Sequence, residues 1–438
     1  MKEREKFGSR LGFILVSAGC AIGIGNVWKF PYMAGQGGGG AFVLFYLIFL
    51  VILGLPIMTM EFAVGRASKK SPVKAYQALE KPGQKWHIHG YVALIGNYLL
   101  MMFYTVVAGW MLYYFYNFLI GKFSGLTGDA VTGKFNEMLS SPSILVITML
   151  IITIAGFLIC SVGLQNGVER VTKVMMIVLM VIMIFLAVYS FTMPGVKEGL
   201  KFYLVPDFSK ITGTVIVGAM NQAFFTLSVG MGSMAIFGSY IGKEQSLLGE
   251  SANVIVLDTF VAIVAGLIMF PACYTYGLEV NAGPSLLFVT LPTILQDLPL
   301  GRLFAIILYV AMIFAGVSSL QNMFEAVAES LMHKFPKLSR TAVLAILCVL
   351  CLGFGIGMEP ISKWGPWMDL VSIYIIPIGA TLGAISWFYV TKKSDLLNAV
   401  NTGSTKQRGK LWYSVGRYVY VPLALILCCV ALFMQVAF

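Results

Sequence analysis

Long runs of apolar residues alternate with short charged or turn-forming segments along the chain. About eleven of these runs have the length that an α-helix needs to cross a bilayer, which is roughly 20 residues. The pattern therefore predicts an all-α polytopic membrane protein with about eleven transmembrane helices. The predicted spans lie near residues 9–34, 40–66, 88–120, 143–162, 168–191, 213–240, 250–277, 300–332, 340–357, 366–391 and 412–436.

Two of these spans contain sequences that disfavour a continuous helix. The first includes SAGCAIGIGNVWKFP (17–31), and the sixth includes QAFFTLSVGMGS (222–233). Each glycine weakens a helix by about 1 kcal/mol relative to alanine, and Asn26 places an amide at membrane depth. An opened turn is tolerated in hydrocarbon only where it lines a cavity, so the breaks predict a polar site at mid-membrane. Close packing of two helices through glycine is the alternative.

The two breaks occupy corresponding positions in the two halves of the chain. Paired interruptions of this kind are typical of the binding site of a secondary transporter. We therefore expect the breaks to face each other. Free N–H groups at such helix ends bind anionic groups, and free carbonyl oxygens replace the water around a cation.

The charge of the chain indicates an orientation in the membrane. The 438 residues are 58% hydrophobic and carry a net charge of +11. Because the basic residues concentrate in loops on one side, the positive-inside rule explains this charge better than nucleic-acid binding does. The N-terminus is then expected in the cytoplasm and, with an odd number of spans, the C-terminus outside the cell membrane. The seven cysteines lack zinc spacing and are interpreted as packing residues.

Three connecting segments are expected on the outer side. Residues 121–141 and 193–212 are predicted to be extracellular loops. Residues 278–298 are too interrupted by glycine and proline to form a span, although they are apolar enough to fold back on the protein. This third segment is interpreted either as a lid over an outward vestibule or as a simple surface loop.

Polar residues inside apolar spans are rare and indicate function. Glu61 and Asp258 are such carboxylates. A buried carboxylate needs a basic partner or a bound cation, and no lysine or arginine lies near Asp258 in sequence. Asn26, Thr226 and Asp258 offer only oxygen ligands, which suit a hard cation rather than zinc or copper. A protonated, hydrogen-bonded Asp258 is the alternative. The adjacent Ser318 and Ser319 in the eighth span, taken alone, are expected to bond to their own helix.

Four motifs then resemble a known family. They are GCAIGIGNVWKFP in span one, GLPIMTMEFAVGR in span two, QAFFTLSVGMG in span six and AGVSS in span eight. Together they resemble the neurotransmitter:sodium symporters, the LeuT-fold transporters, along essentially the whole chain. The resemblance implies one transmembrane domain (1–438) with two inverted repeats of five helices, near 9–191 and 213–391. It also implies one additional helix near 412–436. Many members have two additional helices, so in this respect the chain resembles the short prokaryotic amino-acid transporters of the family.

The resemblance also implies two sodium sites. For the first site it implies the Ala21 carbonyl and the side chains of Asn26, Thr226 and Asp258. Many members have asparagine at the last position, so the carboxylate of Asp258 is a departure. For the second site it implies the carbonyls of Gly19, Ile22 and Ala315 with the hydroxyls of Ser318 and Ser319.

For the substrate, the resemblance implies a site between the two breaks. N–H groups of Gly23, Ile24 and Gly25 would bind a carboxylate together with Tyr104. The remaining site residues would be Cys20, Leu100, Phe225, Ser228, Met231, Ser319 and Met323. Because the pocket is apolar and methionine is flexible, we expect a large hydrophobic or aromatic amino acid such as tyrosine. Small or branched aliphatic amino acids are the alternative.

Two gates are implied in the same way. The outer gate would pair Lys29 with Asp369, where lysine keeps the charge of the family's arginine but loses its bidentate geometry. The usual acidic residue at the cytoplasmic end of span eight is replaced by His333, interpreted as a pH-sensitive group or as an incidental loop residue. The inner gate would contain Arg4, Tyr240 and Glu325.

The expected function is sodium-coupled symport of an amino acid by alternating access, and not enzymatic catalysis. Chloride is not expected as a cofactor, because Asp258 already supplies a negative charge and Ala262, one turn later, has no hydroxyl. An intramembrane hydrolase would need a motif such as HExxH or GxSxG, and the chain has neither. A channel would need rings of like residues from repeated subunits. The sequence leaves the oligomeric state, the sodium stoichiometry and proton antiport open.

Overall fold

The structure, a computed structural model, describes residues 7–126, 128–277, 286–297, 300–358 and 361–435. These residues are almost entirely helical, and the only extended pairing among them is an isolated bridge between Gly39 and Pro206. The prediction of an all-α protein is therefore confirmed. In chain order the helices are α1 (Arg10–Ala21), α2 (Gly25–Gln36), α3 (Gly40–Ser68), α4 (Pro72–Leu79), α5 (His87–Leu119), α6 (Gly128–Leu139), α7 (Pro142–Ser161), α8 (Leu164–Ser190), α9 (Val196–Leu204), α10 (Gly213–Thr226), α11 (Ser233–Gly238), α12 (Leu247–Tyr276), α13 (Leu291–Asp297), α14 (Gly301–Lys334), α15 (Arg340–Gly355), α16 (Lys363–Val390), α17 (Lys393–Asn401) and α18 (Lys410–Met434).

Each predicted span corresponds to helical structure. Within the described residues, eight helices are long and apolar enough to cross a membrane, namely α3, α5, α7, α8, α12, α14, α16 and α18. The first span is the pair α1 and α2, which are bent by 54° at the predicted break. The sixth span is divided into α10 and α11, and the ninth is the shorter apolar helix α15. The helical elements are thus compatible with eleven spans.

The helices differ in how deeply they are buried. In their most apolar stretches, 72% of the residues of α5 and 67% of those of α14 are buried. The corresponding share is 39% in α7 and α8 and 28% in α18. In a bilayer, exposed apolar residues of this kind contact lipid tails. The helices α5 and α14 therefore form the centre of the bundle, and both contact the break between α1 and α2.

Two predicted loops contain helices, which corrects the sequence interpretation. Residues 121–141 include α6, and residues 193–212 include α9. Both helices are short and amphipathic: α6 buries Val131, Phe135 and Met138, which recur at helical spacing. In α9, Tyr203 is fully buried and donates a hydrogen bond to the Ile263 carbonyl (3.1 Å). Charged residues on their outer faces made both segments resemble loops in sequence.

The third outer segment packs against the bundle. Residues 278–285 of the proposed lid lie outside the described residues, as do 298 and 299. Phe288, just before α13, is fully buried, with its ring 5.6 Å from those of Trp110 and Phe135. The Leu287 carbonyl accepts a hydrogen bond from Tyr309 (2.9 Å). These contacts favour a cap over the bundle rather than a loose surface loop.

Candidate substrate and ion site

The break in the first span is formed by a short stretch of non-helical backbone. Helix α1 ends at Ala21 because Ile22 adopts an extended conformation (φ −71°, ψ 107°), and the helix resumes at Gly25. The Gly23 N–H donates to Asn26 Oδ1 (3.1 Å). A Cβ atom at Gly23 would lie 2.6 Å from Ser319 Oγ and 2.7 Å from the Tyr104 hydroxyl. Glycine at this position therefore lets α5 and α14 approach the opened backbone closely.

The break in the sixth span depends on left-handed backbone. Between α10 and α11, Ser228, Gly230 and Gly232 have φ angles of 51°, 82° and 77°. Only glycine adopts such angles without strain, which explains the Gly-x-Gly of this segment. The Gly230 N–H donates to the buried carboxylate of Glu61 on α3. The sequence marked Glu61 as an intramembrane carboxylate, and the structure shows that it binds the opened turn.

The two breaks lie against each other, as expected from their sequences. The Ser228 hydroxyl donates to the Cys20 carbonyl at 3.1 Å, and Gln222 Nε2 donates to the Gly25 carbonyl at 3.3 Å. A Cβ atom at Gly25 would lie 2.8 Å from the ring of Phe225. Polar groups from both breaks therefore meet in the centre of the bundle.

One cluster of polar side chains joins the first break to α10 and α12. Asn26 Nδ2 donates to Asp258 Oδ1 (2.7 Å) and to its carbonyl (3.1 Å). The Thr226 hydroxyl lies 3.1 and 3.0 Å from the two carboxylate oxygens of Asp258. All three side chains are at most 1% exposed, and Ala21 directly precedes the break. The structure thus brings the three side chains of the first predicted ion-binding set together around a carboxylate.

A second cluster is built from backbone carbonyls and hydroxyls. The Ser318 hydroxyl contacts the carbonyls of Gly19 (3.1 Å) and Ala315 (3.0 Å). The Ser319 hydroxyl contacts the carbonyls of Gly19 and Ile22, each at 3.1 Å. Ser318 therefore bonds both to its own helix and across to α1, whereas Ser319 bonds across to α1. Five oxygen atoms converge here, which is the ligand type that hard cations prefer, and the Met176 thioether sulfur also lies 3.8 Å from the Ser318 hydroxyl.

The predicted substrate-binding side chains lie in the two broken spans and on α5 and α14, which both contact the first break. Leu100 and Tyr104 lie one turn apart on α5, and Ser319 and Met323 lie one turn apart on α14. Phe225 precedes the second break, and Met231 lies within it. Each of the side chains is at most 4% exposed: Cys20, Leu100, Tyr104, Phe225, Ser228, Met231, Ser319 and Met323. The apolar members come from three different segments, which explains why no local pattern in the sequence identifies the pocket.

Lys29, of the predicted outer gate, covers Phe225. The Lys29 ammonium lies 3.9 Å from the centroid of the Phe225 ring and donates to the Ser372 hydroxyl (3.2 Å). Asp369 lies on the same helix as Ser372, about one turn before it. A cation over an aromatic ring is stabilising when both are buried. The arrangement connects the proposed outer gate to an aromatic wall of the pocket.

Glu325, of the predicted inner gate, has a partner that the sequence did not reveal. Arg340, the first residue of α15, forms an ion pair with Glu325 and donates through Nε to the Cys160 carbonyl (2.9 Å). In the sequence, Arg340 is one of several basic residues in a connecting segment, and nothing distinguishes it from its neighbours. Tyr240 packs edge-on against Phe7 (5.6 Å), and Arg4 lies outside the described residues.

His333 lies in a polar environment at the end of α14. Its Nδ1 accepts a hydrogen bond from the Ser71 N–H (3.3 Å), and its Nε2 lies 3.5 Å from Glu329. Lys74 donates to the His333 carbonyl. The histidine therefore connects α14 to the start of α4, and its role in gating stays a prediction.

Comparisons with known proteins bear on the family and the fold. The sequence profile of the Sodium:neurotransmitter symporter family matches residues 4–128 and 129–437. An uncharacterized sodium-dependent transporter, YhdH, of Bacillus subtilis (strain 168) is 36% identical over an alignment that covers 96% of each chain. An uncharacterized sodium-dependent transporter of Methanocaldococcus jannaschii is 34% identical, over 94% of this chain and 87% of that one.

A solved structure is similar over nearly the full length. The crystal structure of MhsT in complex with L-phenylalanine matches with a TM-score of 0.91 and 34% identity, covering 98% of this chain and all of that one. The predicted LeuT fold is confirmed by this match, and the predicted family by the profile and the relatives. The chain belongs to the sodium:neurotransmitter symporter family.

Proposed function

We propose that the chain is a sodium-coupled symporter of a large apolar amino acid that works by alternating access in the cell membrane. The observation that carries the proposal is the meeting of two opened helices at a buried site lined by backbone groups and oxygen ligands. Moving one positive charge through 100 mV supplies about 2.3 kcal/mol, so one or two sodium ions sustain a steep substrate gradient. Transport of this kind requires no enzymatic step.

Sodium binds, in this proposal, at the two clusters described above. The first site contains Asn26, Thr226 and Asp258 with the Ala21 carbonyl. The second uses the carbonyls of Gly19, Ile22 and Ala315 with both serine hydroxyls. The carbonyls of Gly19 and Ile22 become available because helix α1 ends there, whereas the Ala315 carbonyl belongs to the continuous helix α14.

The substrate carboxylate binds to the N–H groups of the first break and to Tyr104, with the Gly23 N–H exchanging its hydrogen bond to Asn26 for one to the substrate. The substrate side chain occupies the apolar pocket. Three observations support a large side chain. Leu100, Met231 and Met323 offer no charge to pair with a charged substrate, and a methionine moves aside easily for an aromatic ring. MhsT, which is 34% identical, was crystallised with L-phenylalanine. A small or branched aliphatic substrate is the second candidate, in which the methionines fill the pocket.

The proposed arrangement in the membrane follows the basic loops. The N-terminus lies in the cytoplasm and the C-terminus outside. Residues 9–191 and 213–391 form the two inverted repeats, and α18 is the additional helix. The gate pair Lys29 and Asp369 then faces outward, and Glu325 with Arg340 faces the cytoplasm.

Uptake into proteoliposomes tests the function. With an inward sodium gradient, we expect accumulation of labelled phenylalanine or tyrosine, and no accumulation when potassium replaces sodium. Excess tryptophan, tyrosine and phenylalanine should each compete. If alanine or glycine blocks the sodium-dependent uptake and none of the three aromatic amino acids does, the large-pocket proposal is wrong, although sodium coupling stands.

Chloride should have no effect on this uptake. The carboxylate of Asp258 provides a permanent negative charge beside the first sodium site, and a second anion nearby would be repelled. The side chain one turn along α12, Ala262, is fully buried and offers no hydroxyl to an anion. Replacing chloride by gluconate on both sides of the membrane should leave the initial rate unchanged within about twofold. A collapse of uptake in gluconate would contradict this proposal.

A further inference from the structure

An arginine lies on the lipid-facing surface of the helix bundle, near the start of the last span. Arg417 is the eighth residue of α18, about 10 Å along the helix from Lys410. Its neighbours on this helix, Val415, Tyr418 and Val419, are 49%, 67% and 58% exposed, so this face contacts lipid. A charged side chain at such a position is costly unless it finds a partner.

The guanidinium of Arg417 is held in place by aromatic residues. Its Cζ lies 4.7 Å above the ring centroid of Tyr389 and 5.7 Å from that of Tyr418. Nη1 donates to the Tyr413 hydroxyl (3.3 Å), and the Arg417 carbonyl accepts from the Tyr389 hydroxyl (2.7 Å). Nε is buried, so the donors available to a ligand are those of the two terminal nitrogens, of which Nη1 uses one for Tyr413. The side chain is therefore oriented with donor capacity left over.

A second cation shares this aromatic cluster. The Lys393 ammonium lies 5.1 Å from the ring centroid of Tyr413, the tyrosine that Arg417 also contacts. Among the residues that the structure describes, no carboxylate forms an ion pair with either cation. The nearest acidic residue in sequence, Asp395, instead accepts from the Ser394 hydroxyl (3.2 Å). Two positive charges thus occupy one small region without a negative partner.

The packing of α16 against α18 builds this region. A Cβ atom at Gly416 would overlap the ring of Phe388, so glycine allows the two helices to approach closely. The Tyr413 hydroxyl donates to the Phe388 carbonyl (3.0 Å), which fixes the crossing. This close contact brings Tyr389 on α16 beneath Arg417 on α18. The orientation of the arginine is therefore set by the fold and not by solvent.

We propose that Arg417 and Lys393 bind the phosphate of a phospholipid with a net negative headgroup. Side chains on a helix point back toward its N-terminus, which directs Arg417 toward the headgroup region on the cytoplasmic side. Its free donors bind phosphate oxygens, and Lys393 adds a second charge-assisted contact. A zwitterionic lipid brings its own ammonium group near the two cations, whereas an anionic lipid neutralises them.

Native mass spectrometry of the full chain in detergent tests the proposal. Phosphatidylglycerol and phosphatidylcholine are titrated separately, and inorganic phosphate serves as the soluble competitor. We expect one phosphatidylglycerol to bind about tenfold more tightly than phosphatidylcholine, and millimolar phosphate not to displace it. Arg417→Gln should weaken phosphatidylglycerol binding about tenfold. Lys406→Gln, which removes the same charge from an exposed position after α17, should change it less than twofold.

Three results would overturn the proposal. The first is equal binding of the two lipids, and the second is an equal loss of phosphatidylglycerol binding in the two variants. The third is displacement of bound phosphatidylglycerol by inorganic phosphate as effectively as by a competing lipid. Thermal unfolding shows whether Arg417→Gln is folded. If it is not, Lys393→Gln is the variant to measure, and it should weaken binding about fivefold. Binding is read directly, so failure of the lipid site leaves the transport proposal intact.

Discussion

Replacing Asp258 by alanine should raise the sodium concentration needed for half-maximal uptake at least about tenfold. The substitution removes the only carboxylate of the first cluster and leaves Asn26 and Thr226 without their shared acceptor. A hydrogen bond to a charged group contributes about 1.5–3 kcal/mol, and 1.4 kcal/mol corresponds to a factor of ten. The measurement is the initial rate of uptake into proteoliposomes over a range of sodium concentrations.

Two further variants separate charge from geometry at this site. Asp258→Asn keeps an oxygen near Asn26 and Thr226 but removes the charge, so it should shift the sodium dependence less than alanine does. Asp207→Ala removes an exposed carboxylate outside the bundle and should leave the sodium dependence unchanged. An Asp258→Ala protein with normal sodium dependence would show that the first sodium site is assigned incorrectly.

Replacing Gly23 by alanine should lower the rate of uptake about tenfold to a hundredfold. The new Cβ would lie 2.6 Å from Ser319 Oγ and 2.7 Å from the Tyr104 hydroxyl, so at least one of the two must move. Forcing an extra carbon into a packed interior costs about 1–3 kcal/mol. Here the displaced groups are those proposed to bind the second sodium and the substrate carboxylate. The initial rate at saturating sodium is the quantity to measure.

Gly316→Ala is the matched control for this variant. Gly316 is also buried in the centre of the bundle, on α14, but the atoms nearest to a Cβ there lie at 3.5 Å or more, which is ordinary contact. Alanine also forms helix better than glycine, so this protein should keep its uptake and its thermal stability. If both variants transport equally well, the close approach at Gly23 has no role in binding.

Features that depend on local sequence could be predicted before the structure. The spans follow from the length of the apolar runs. The breaks follow from glycine and asparagine within those runs, because these residues weaken a helix wherever they occur. The helix ends at Ala21 and Thr226 lie inside the two predicted segments.

Pairs that form between distant segments could not be predicted in this way. Glu61 and Gly230 are 169 residues apart, and Glu325 and Arg340 belong to different helices. A polar residue at membrane depth shows that a partner is needed, but the sequence does not show which helix supplies it. Short amphipathic helices such as α6 and α9 were also missed, because their exposed faces have the composition of loops.

The second ion cluster consists largely of backbone groups, whereas the pocket is lined by side chains. This difference affects how substitutions change transport as the sequence evolves. In the second cluster three of five oxygens are carbonyls, and substitution does not remove a carbonyl. The walls of the pocket, by contrast, are the side chains of Leu100, Met231 and Met323. Under the proposed function, a few substitutions at these three positions would produce homologues that transport different amino acids. These homologues would still be driven by the sodium gradient.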